Sequence, residues 1–301
     1  MTTPDAPDKG PGGLPHALGA YLMWGLFPLW LMPIRHVPGW ETIGWRIVFT
    51  LPFCAAVLLV QRQTGAVREV LANRRATLAL AAGTLLIGGN WLIYFAAING
   101  GHVLAASLGY YINPLANVLA GALFLKERLN WRAWTAVALA AFGVSLLAWD
   151  ARETLFISLS LAGTFCAYGL LRKLAPVPAT AGMAVEAVIL LLPASALLAW
   201  QAGHGGLHIG ESALTTAILV GNGVVLTTPL ILFAIAARRM DYSTLGFVQF
   251  LAPTINFVLA LFVFHEPLRP VQLACFVAIW LAIALFVWDI AGPRIRALRV
   301  R

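Results

Sequence analysis

Long apolar runs alternate along the chain with short polar loops that carry most of its charges. Ten of these runs are long enough for an α-helix, rising 1.5 Å per residue, to cross a hydrocarbon core of about 30 Å. The pattern predicts an all-α integral membrane protein of ten transmembrane helices, at residues 14–34, 40–60, 77–98, 103–125, 131–149, 155–171, 179–200, 213–237, 243–264 and 267–288.

A short pattern occurs in both the fourth and the ninth predicted helices: Leu-Gly, then Pro-x-x-Asn, then Glu-x-Leu. At one constant displacement, Pro114, Asn117 and Glu127 recur as Pro253, Asn256 and Glu266. Long repeats in an apolar chain are typical of transporters. The repeat predicts four segments: a disordered cytoplasmic tail at 1–13, a five-helix repeat at 14–150, a second five-helix repeat at 151–290 and a basic cytoplasmic tail at 291–301.

Most of the 20 Lys and Arg residues fall on one side of the membrane if the N terminus is cytoplasmic, and Arg172 counts among these loop charges. Since cytoplasmic loops carry the excess of Lys and Arg, both termini are predicted to lie inside. Five helices per repeat is an odd number, so the second repeat enters the membrane from the opposite side. Inverted repeats of this kind place a substrate site near the membrane midplane.

Composition supports a membrane protein, since 60% of residues are apolar and 11% charged, against about a quarter charged in soluble domains. The net charge of +8 does not indicate nucleic-acid binding, because the basic residues lie between apolar runs rather than on one face. Cys54, Cys166 and Cys275 are isolated in apolar runs, which favours packing over metal or disulfide roles.

The usual signatures of ATP hydrolysis, zinc proteases and serine hydrolases are absent from the sequence. We therefore expect a protein that is not an enzyme and that has no cofactor and no metal. An intramembrane enzyme acting on a lipid-linked substrate, and a membrane sensor or scaffold, remain as alternatives.

Prolines within membrane spans leave the carbonyl four residues earlier without its helical donor. Helix kinks are therefore expected at Pro114, which frees the carbonyl of Tyr110, and at Pro253, which frees that of Gln249. Aromatic and amide side chains away from the membrane interfaces are the candidates for a substrate-binding wall: Trp24, Asn90, Trp91, Tyr94, Tyr110, Tyr111, Tyr168 and Gln249. For Asn117 and Asn256, cavity lining and helix-to-helix hydrogen bonding are both open.

Two charged residues, Arg46 and Glu186, lie well inside predicted spans, where each costs about 2.5 to 3.5 kcal/mol on insertion scales. Charged groups at this depth favour a gating or coupling role. A structural role, with the charge bonded to freed carbonyls, stays open. Glu41 lies at the outer border of its helix and is expected to be solvated.

Several stretches resemble the RarD-type branch of the EamA family, in the drug/metabolite transporter superfamily: GGNWLIYFAAINGGHVLAASLGYYINPL, AYLMWGLFP, YGLLRK and STLGFVQFLAPT. The resemblance covers about residues 14–289. It implies ten helices in inverted five-helix repeats and export of small metabolites across the bacterial inner membrane. Relatives often carry a lysine where this chain has Leu31-Met32 and a tyrosine at Phe250, which implies a less polar cavity here.

From the resemblance and the residues together we expect a secondary active transporter that works by alternating access. Its predicted substrates are small, largely neutral or zwitterionic metabolites, with amino acids favoured and a chloramphenicol-type multidrug exporter as the alternative. The lipid bilayer is the other expected partner.

Overall fold

The computed structural model describes residues 12–299, with side chains for residues 12–149 and 151–289. Thirteen α-helices make up this part of the chain: α1 Gly13–Leu31, α2 Gly39–Val60, α3 Ala66–Ala72, α4 Arg74–Asn99, α5 Val103–Leu123, α6 Trp131–Asp150, α7 Leu155–Leu174, α8 Ala179–His204, α9 Ala213–Val225, α10 Thr227–Arg239, α11 Tyr242–Gln249, α12 Leu251–Phe262 and α13 Pro270–Arg299. Short 3-10 helices lie at Met32–Ile34 and Arg152–Thr154.

Ten helical segments in the described residues are long and apolar enough to cross a membrane, which confirms the predicted all-α architecture. Residues 1–11 of the first predicted tail, and the side chains of the second, lie outside the described part. The backbone of the second tail continues α13 as far as Arg299.

Two of the ten spans are each built from two helices. The breaks fall at Leu226, between α9 and α10, and at Phe250, between α11 and α12. Each break precedes a proline, Pro229 or Pro253, by three residues, and a proline cannot donate to the carbonyl four residues before it. Helix α5 is continuous through Pro114.

The helix ends recur at the displacement seen in the sequence. Helix α5 begins at 103 and ends at 123, while the pair α11 and α12 begins at 242 and ends at 262, each 139 positions later. Lys126 and His265 follow these ends with the same left-handed φ of 54°. The chain therefore repeats local structure as well as sequence, and the inversion of the repeats stays a prediction.

The chain divides into two compact units, and each draws on both halves of the sequence. The first unit runs to Phe95 and resumes at Ala167–Met240, and the second comprises Ala96–Cys166 and the residues from Asp241 onward. In the first unit α2 packs against α8 and α9, and α1 packs against α10.

In the second unit α13 packs against α6, and α5 packs against α11. Gly246 makes the second contact possible, since a Cβ at this position would lie 2.7 Å from the carbonyl oxygen of Pro114. The core of this unit includes stacked rings of Phe247 and Phe286, whose centroids are 3.7 Å apart.

Candidate substrate site

A buried guanidinium on α2 lies against an aromatic ring on α4. Arg46 is 7% exposed, and its Cζ lies 4.3 Å from the centroid of the Trp91 ring. Cation–π contacts of this kind stabilise by about 2 kcal/mol when the cation is desolvated. The indole therefore fixes the position of the charge without neutralising it.

Arg46 and Trp91 line a cavity in the first unit, together with Glu186 of α8. The other lining residues are apolar apart from one threonine: Ile47, Thr50, Ile87, Met183, Ala187, Leu190 and Leu230. The cavity measures about 20 Å³, and a space this size holds about one water molecule. The structure thus brings Arg46 and Glu186, the two predicted gating or coupling residues, to one cavity.

The Glu186 carboxylate is held by two donors from α7. Oε1 accepts a hydrogen bond of 3.1 Å from Nη1 of Arg172, and Oε2 accepts one of 3.1 Å from the hydroxyl of Tyr168. All three side chains are almost completely buried. Arg172 lies in the last turn of α7 and not in a loop, and its buried side chain pairs with Glu186. The side of the membrane on which it lies stays a prediction.

A glycine on α8 makes room for this ion pair. A Cβ on Gly182 would lie 2.3 Å from Nη1 of Arg172. Gly182 and Glu186 are four residues apart on α8, as Tyr168 and Arg172 are on α7, so each pair shares one helix face. That spacing was visible in the sequence, but which two helices face each other was not.

The charged groups at the cavity do not balance. Glu186 compensates Arg172, whereas no carboxylate of the described residues lies within salt-bridge distance of Arg46. One buried positive charge therefore remains on the cavity wall. A guanidinium presents a planar set of N–H donors that matches a carboxylate, so this wall can bind an anionic group.

The other candidates of the first unit lie in aromatic contacts or are buried. The Trp24 ring is 5.5 Å from that of Tyr21 and 5.9 Å from that of Phe233, centroid to centroid. Tyr94 meets Phe95 edge-on at 5.8 Å, and Asn90 is 8% exposed. Of the predicted wall residues in this unit, Trp91 is the one that lines the cavity beside Arg46.

The remaining candidates, Tyr110, Tyr111 and Gln249, belong to the second unit. Tyr110 is half exposed, and Tyr111 packs edge-on against Phe276 at 5.4 Å. The side-chain oxygen of Gln249 accepts a hydrogen bond of 2.5 Å from Nδ2 of Asn117. This bond joins α5 to α11, as expected for amides that hold helices together.

Glu41 is completely buried, so the expectation of a solvated carboxylate was wrong. Its Oε1 accepts a 2.7 Å hydrogen bond from the backbone N–H of His208, and its Oε2 lies 2.7 Å from Nδ1 of that ring. Nε1 of Trp45 donates to Oε1 at 3.2 Å. The loop between α8 and α9 folds over the start of α2. This contact could not be predicted from the position of Glu41 near the end of its own helix.

Metal-binding geometry is absent from the described residues, where no three His, Cys, Asp or Glu side chains group closely enough to hold an ion. Cys54, Cys166 and Cys275 are buried free thiols.

Ten candidate membrane spans in the described residues, with a small charged cavity in the first unit, are typical of a multi-pass membrane protein of the transporter class. Residues 12–149 match the model of the EamA-like transporter family. The chain is 44% identical over 276 residues to an uncharacterized transporter of Pseudomonas aeruginosa, covering 90% of this chain and 92% of that protein. It is 41% identical to Protein RarD of Salmonella typhi, covering 91% and 93%.

The chain therefore belongs to the EamA-like transporter family, with RarD proteins among its relatives, and the predicted resemblance is confirmed. It is a multi-pass protein of the bacterial inner membrane. A solved crystal structure shares the fold, with a TM-score of 0.70 at 17% identity, covering 91% of this chain and 96% of the other.

Proposed function

We propose that this transporter exports small zwitterionic metabolites, above all amino acids, by alternating access as a secondary transporter. The observation that carries the proposal is the buried guanidinium of Arg46, which lies on a cavity wall without a carboxylate partner among the described residues. Keeping a charge inside a membrane protein costs about 2.5 to 3.5 kcal/mol on insertion scales, so such charges mark functional sites. A substrate carboxylate supplies the missing partner.

Glu186 offers a second contact for the same substrate. Each of its oxygens already accepts one hydrogen bond, and a carboxylate can accept about four. An ammonium group can therefore bind at the remaining acceptor sites while the Arg172 pair stays intact. A cation and an anion on one cavity wall suit a zwitterion better than a molecule with a single charge.

The size of the cavity supports a mechanism in which the site opens and closes. At about 20 Å³ it is far smaller than the roughly 300 Å³ or more of a typical small-molecule pocket. Substrate binding therefore requires the lining side chains and helices to move apart. Alternating access needs helices that move apart and close again around a substrate site.

Counterflow in proteoliposomes tests this function. Vesicles loaded with one unlabelled amino acid should accumulate the labelled form. Chloramphenicol should not exchange, and simple amines should exchange at least about tenfold less well than the amino acid. Two controls are needed. One is vesicles without protein, and the other is vesicles reconstituted with protein that was first denatured in detergent. Exchange of chloramphenicol alone, or turnover of lipid without any exchange, would reject the amino-acid proposal.

We also propose that both termini are cytoplasmic and that the two repeats are inverted, which the placement of Lys and Arg supports. A reporter protein that is active only in the cytoplasm should be active when it is fused after Arg301. Activity of a periplasm-dependent reporter at that position would reject this orientation.

A further inference from the structure

A second cavity in the first unit lies at the ends of three helices. It measures about 420 Å³ and is lined at the end of α2 by Gln61 and Gln63, at the start of α8 by Thr180, and at the end of α10 by Arg238 and Arg239. None of its lining residues is acidic. The cavity is thus larger and more basic than the one beside Arg46.

Neither arginine is neutralised in the described part of the chain, where no carboxylate lies within salt-bridge distance of Arg238 or Arg239. Nη1 of Arg238 donates to the carbonyl oxygen of Val177, which orients that guanidinium. The other N–H groups of the two side chains remain available, since a guanidinium has five donors. The cavity therefore carries two positive charges.

The start of α8 adds backbone donors. Its cap residue, Pro178, gives no side-chain hydrogen bond to the helix, and the first helical bond runs from the N–H of Gly182 to the oxygen of Pro178 at 2.9 Å. The backbone N–H groups before Gly182 in the first turn have no acceptor within the helix. The positive end of the helix dipole favours an anion at this place.

Thr180 gives an independent indication of a ligand. Thr180 is 5% exposed and lines this cavity, and its hydroxyl has no hydrogen-bond partner among the described residues. The hydroxyl is therefore free to donate to, or accept from, a ligand in the cavity. A ligand atom in the cavity would satisfy it.

We propose that this cavity binds a phosphate oxyanion. The source is either the headgroup of an anionic phospholipid or a soluble phosphate compound. The cavity lies at the ends of candidate membrane spans, where lipid headgroups are expected, and basic pockets between membrane helices bind such groups. Two guanidinium groups, a hydroxyl and helix N–H donors match the acceptor-only chemistry of phosphate oxygens.

Binding can be measured on the purified full-length protein in mixed micelles. We expect the melting temperature to rise with phosphatidylglycerol and not with phosphatidylcholine if the source is a lipid, and to rise with inorganic phosphate if the source is soluble. Arg239→Gln and Thr180→Val should each weaken the apparent affinity by about tenfold, the value of one hydrogen bond to a charged group.

Arg75→Gln is the matched control, because Arg75 is exposed and does not line the cavity. It removes the same charge and should leave the affinity unchanged. Each variant must keep the parent melting temperature in ligand-free micelles. No rise with either probe, or the same affinity in Arg239→Gln, Thr180→Val and Arg75→Gln, would overturn the proposal.

Discussion

The guanidinium of Arg46 lies over the indole ring of Trp91, with 4.3 Å between Cζ and the ring centroid. Arg46 is on α2 and Trp91 on α4, and both line one cavity. The pairing keeps the cation positioned for a ligand, because a π face attracts the charge but leaves the N–H edge of the guanidinium for an anion.

Trp91→Leu should raise the KM for substrate by about 30-fold, since a desolvated cation–π contact is worth about 2 kcal/mol. The KM of Trp91→Phe should lie between the values for the parent and for Trp91→Leu, because a phenyl ring retains a weaker π face. The KM is measured from the concentration dependence of counterflow. Trp149→Leu, at an exposed tryptophan, is the control and should behave like the parent. An unchanged KM in Trp91→Leu would show that the Trp91 ring does not contribute to substrate binding.

Glu186→Gln and Arg172→Gln should each lower the free energy of unfolding by about 3 to 5 kcal/mol, because each leaves a buried charge without its partner. The double variant should recover part of this loss, since neither charge of the Arg172–Glu186 pair remains. Denaturant unfolding in mixed micelles measures the three values. Additive losses in the double variant would show that the 3.1 Å contact is not an energetic pair.

Gly182→Ala should be destabilising, because its Cβ would lie 2.3 Å from Nη1 of Arg172. The same substitution in an Arg172→Ala background should cost nothing, since the clashing atom is gone. Gly203→Ala on the same helix meets nothing within 4 Å and should be neutral or gain about 0.5 to 1 kcal/mol. Equal effects of Gly182→Ala in both backgrounds would exclude the clash as the cause.

Much of the fold could be predicted from the sequence, because span length, apolar composition and the repeat are local or periodic properties. The break at Phe250 also has a local cause in Pro253. The pairing of Arg172 with Glu186 could not be predicted from charge placement alone, since Arg172 lies near a helix end where cytoplasmic arginines are common.

Burial of Glu41 was missed for a related reason. It depends on a loop 167 residues away in the chain, whose His208 caps the carboxylate. Which loop covers which helix end is a tertiary property, and a single sequence contains no direct record of it. The predicted wall residues are divided between two compact units that each combine distant parts of the chain, and the wall stays a prediction.

Glu127 and Glu266 occupy equivalent positions in the repeat but differ in their contacts. The Glu127 carboxylate accepts hydrogen bonds from the backbone N–H groups of Tyr242 and Ser243, at 2.7 and 2.8 Å, and from the Ser243 hydroxyl. Glu266 is exposed, and its carboxylate makes no hydrogen bond or ion pair among the described residues. The start of α11 is therefore fixed by a carboxylate.

Glu127→Gln should increase the exchange rate of the Tyr242 and Ser243 amide hydrogens by about tenfold, the effect of losing about one charge-assisted hydrogen bond. Hydrogen exchange followed by mass spectrometry measures this rate. Glu266→Gln is the matched control and should leave exchange at α11 unchanged. The same increase in both variants would show that the Glu127 contact does not protect this helix start.

Counterflow of a matched substrate pair, an amino acid and the amine that lacks its carboxylate, tests the central claim most directly. The parent protein should exchange the amino acid at least about tenfold better, and Arg46→Gln should lose that preference, because the charge-assisted hydrogen bonds to the carboxylate are gone. Arg46→Lys, which keeps the charge, should retain part of it. If Arg46→Gln keeps the full preference for the amino acid, Arg46 is not the carboxylate-binding group and the account of the site is wrong.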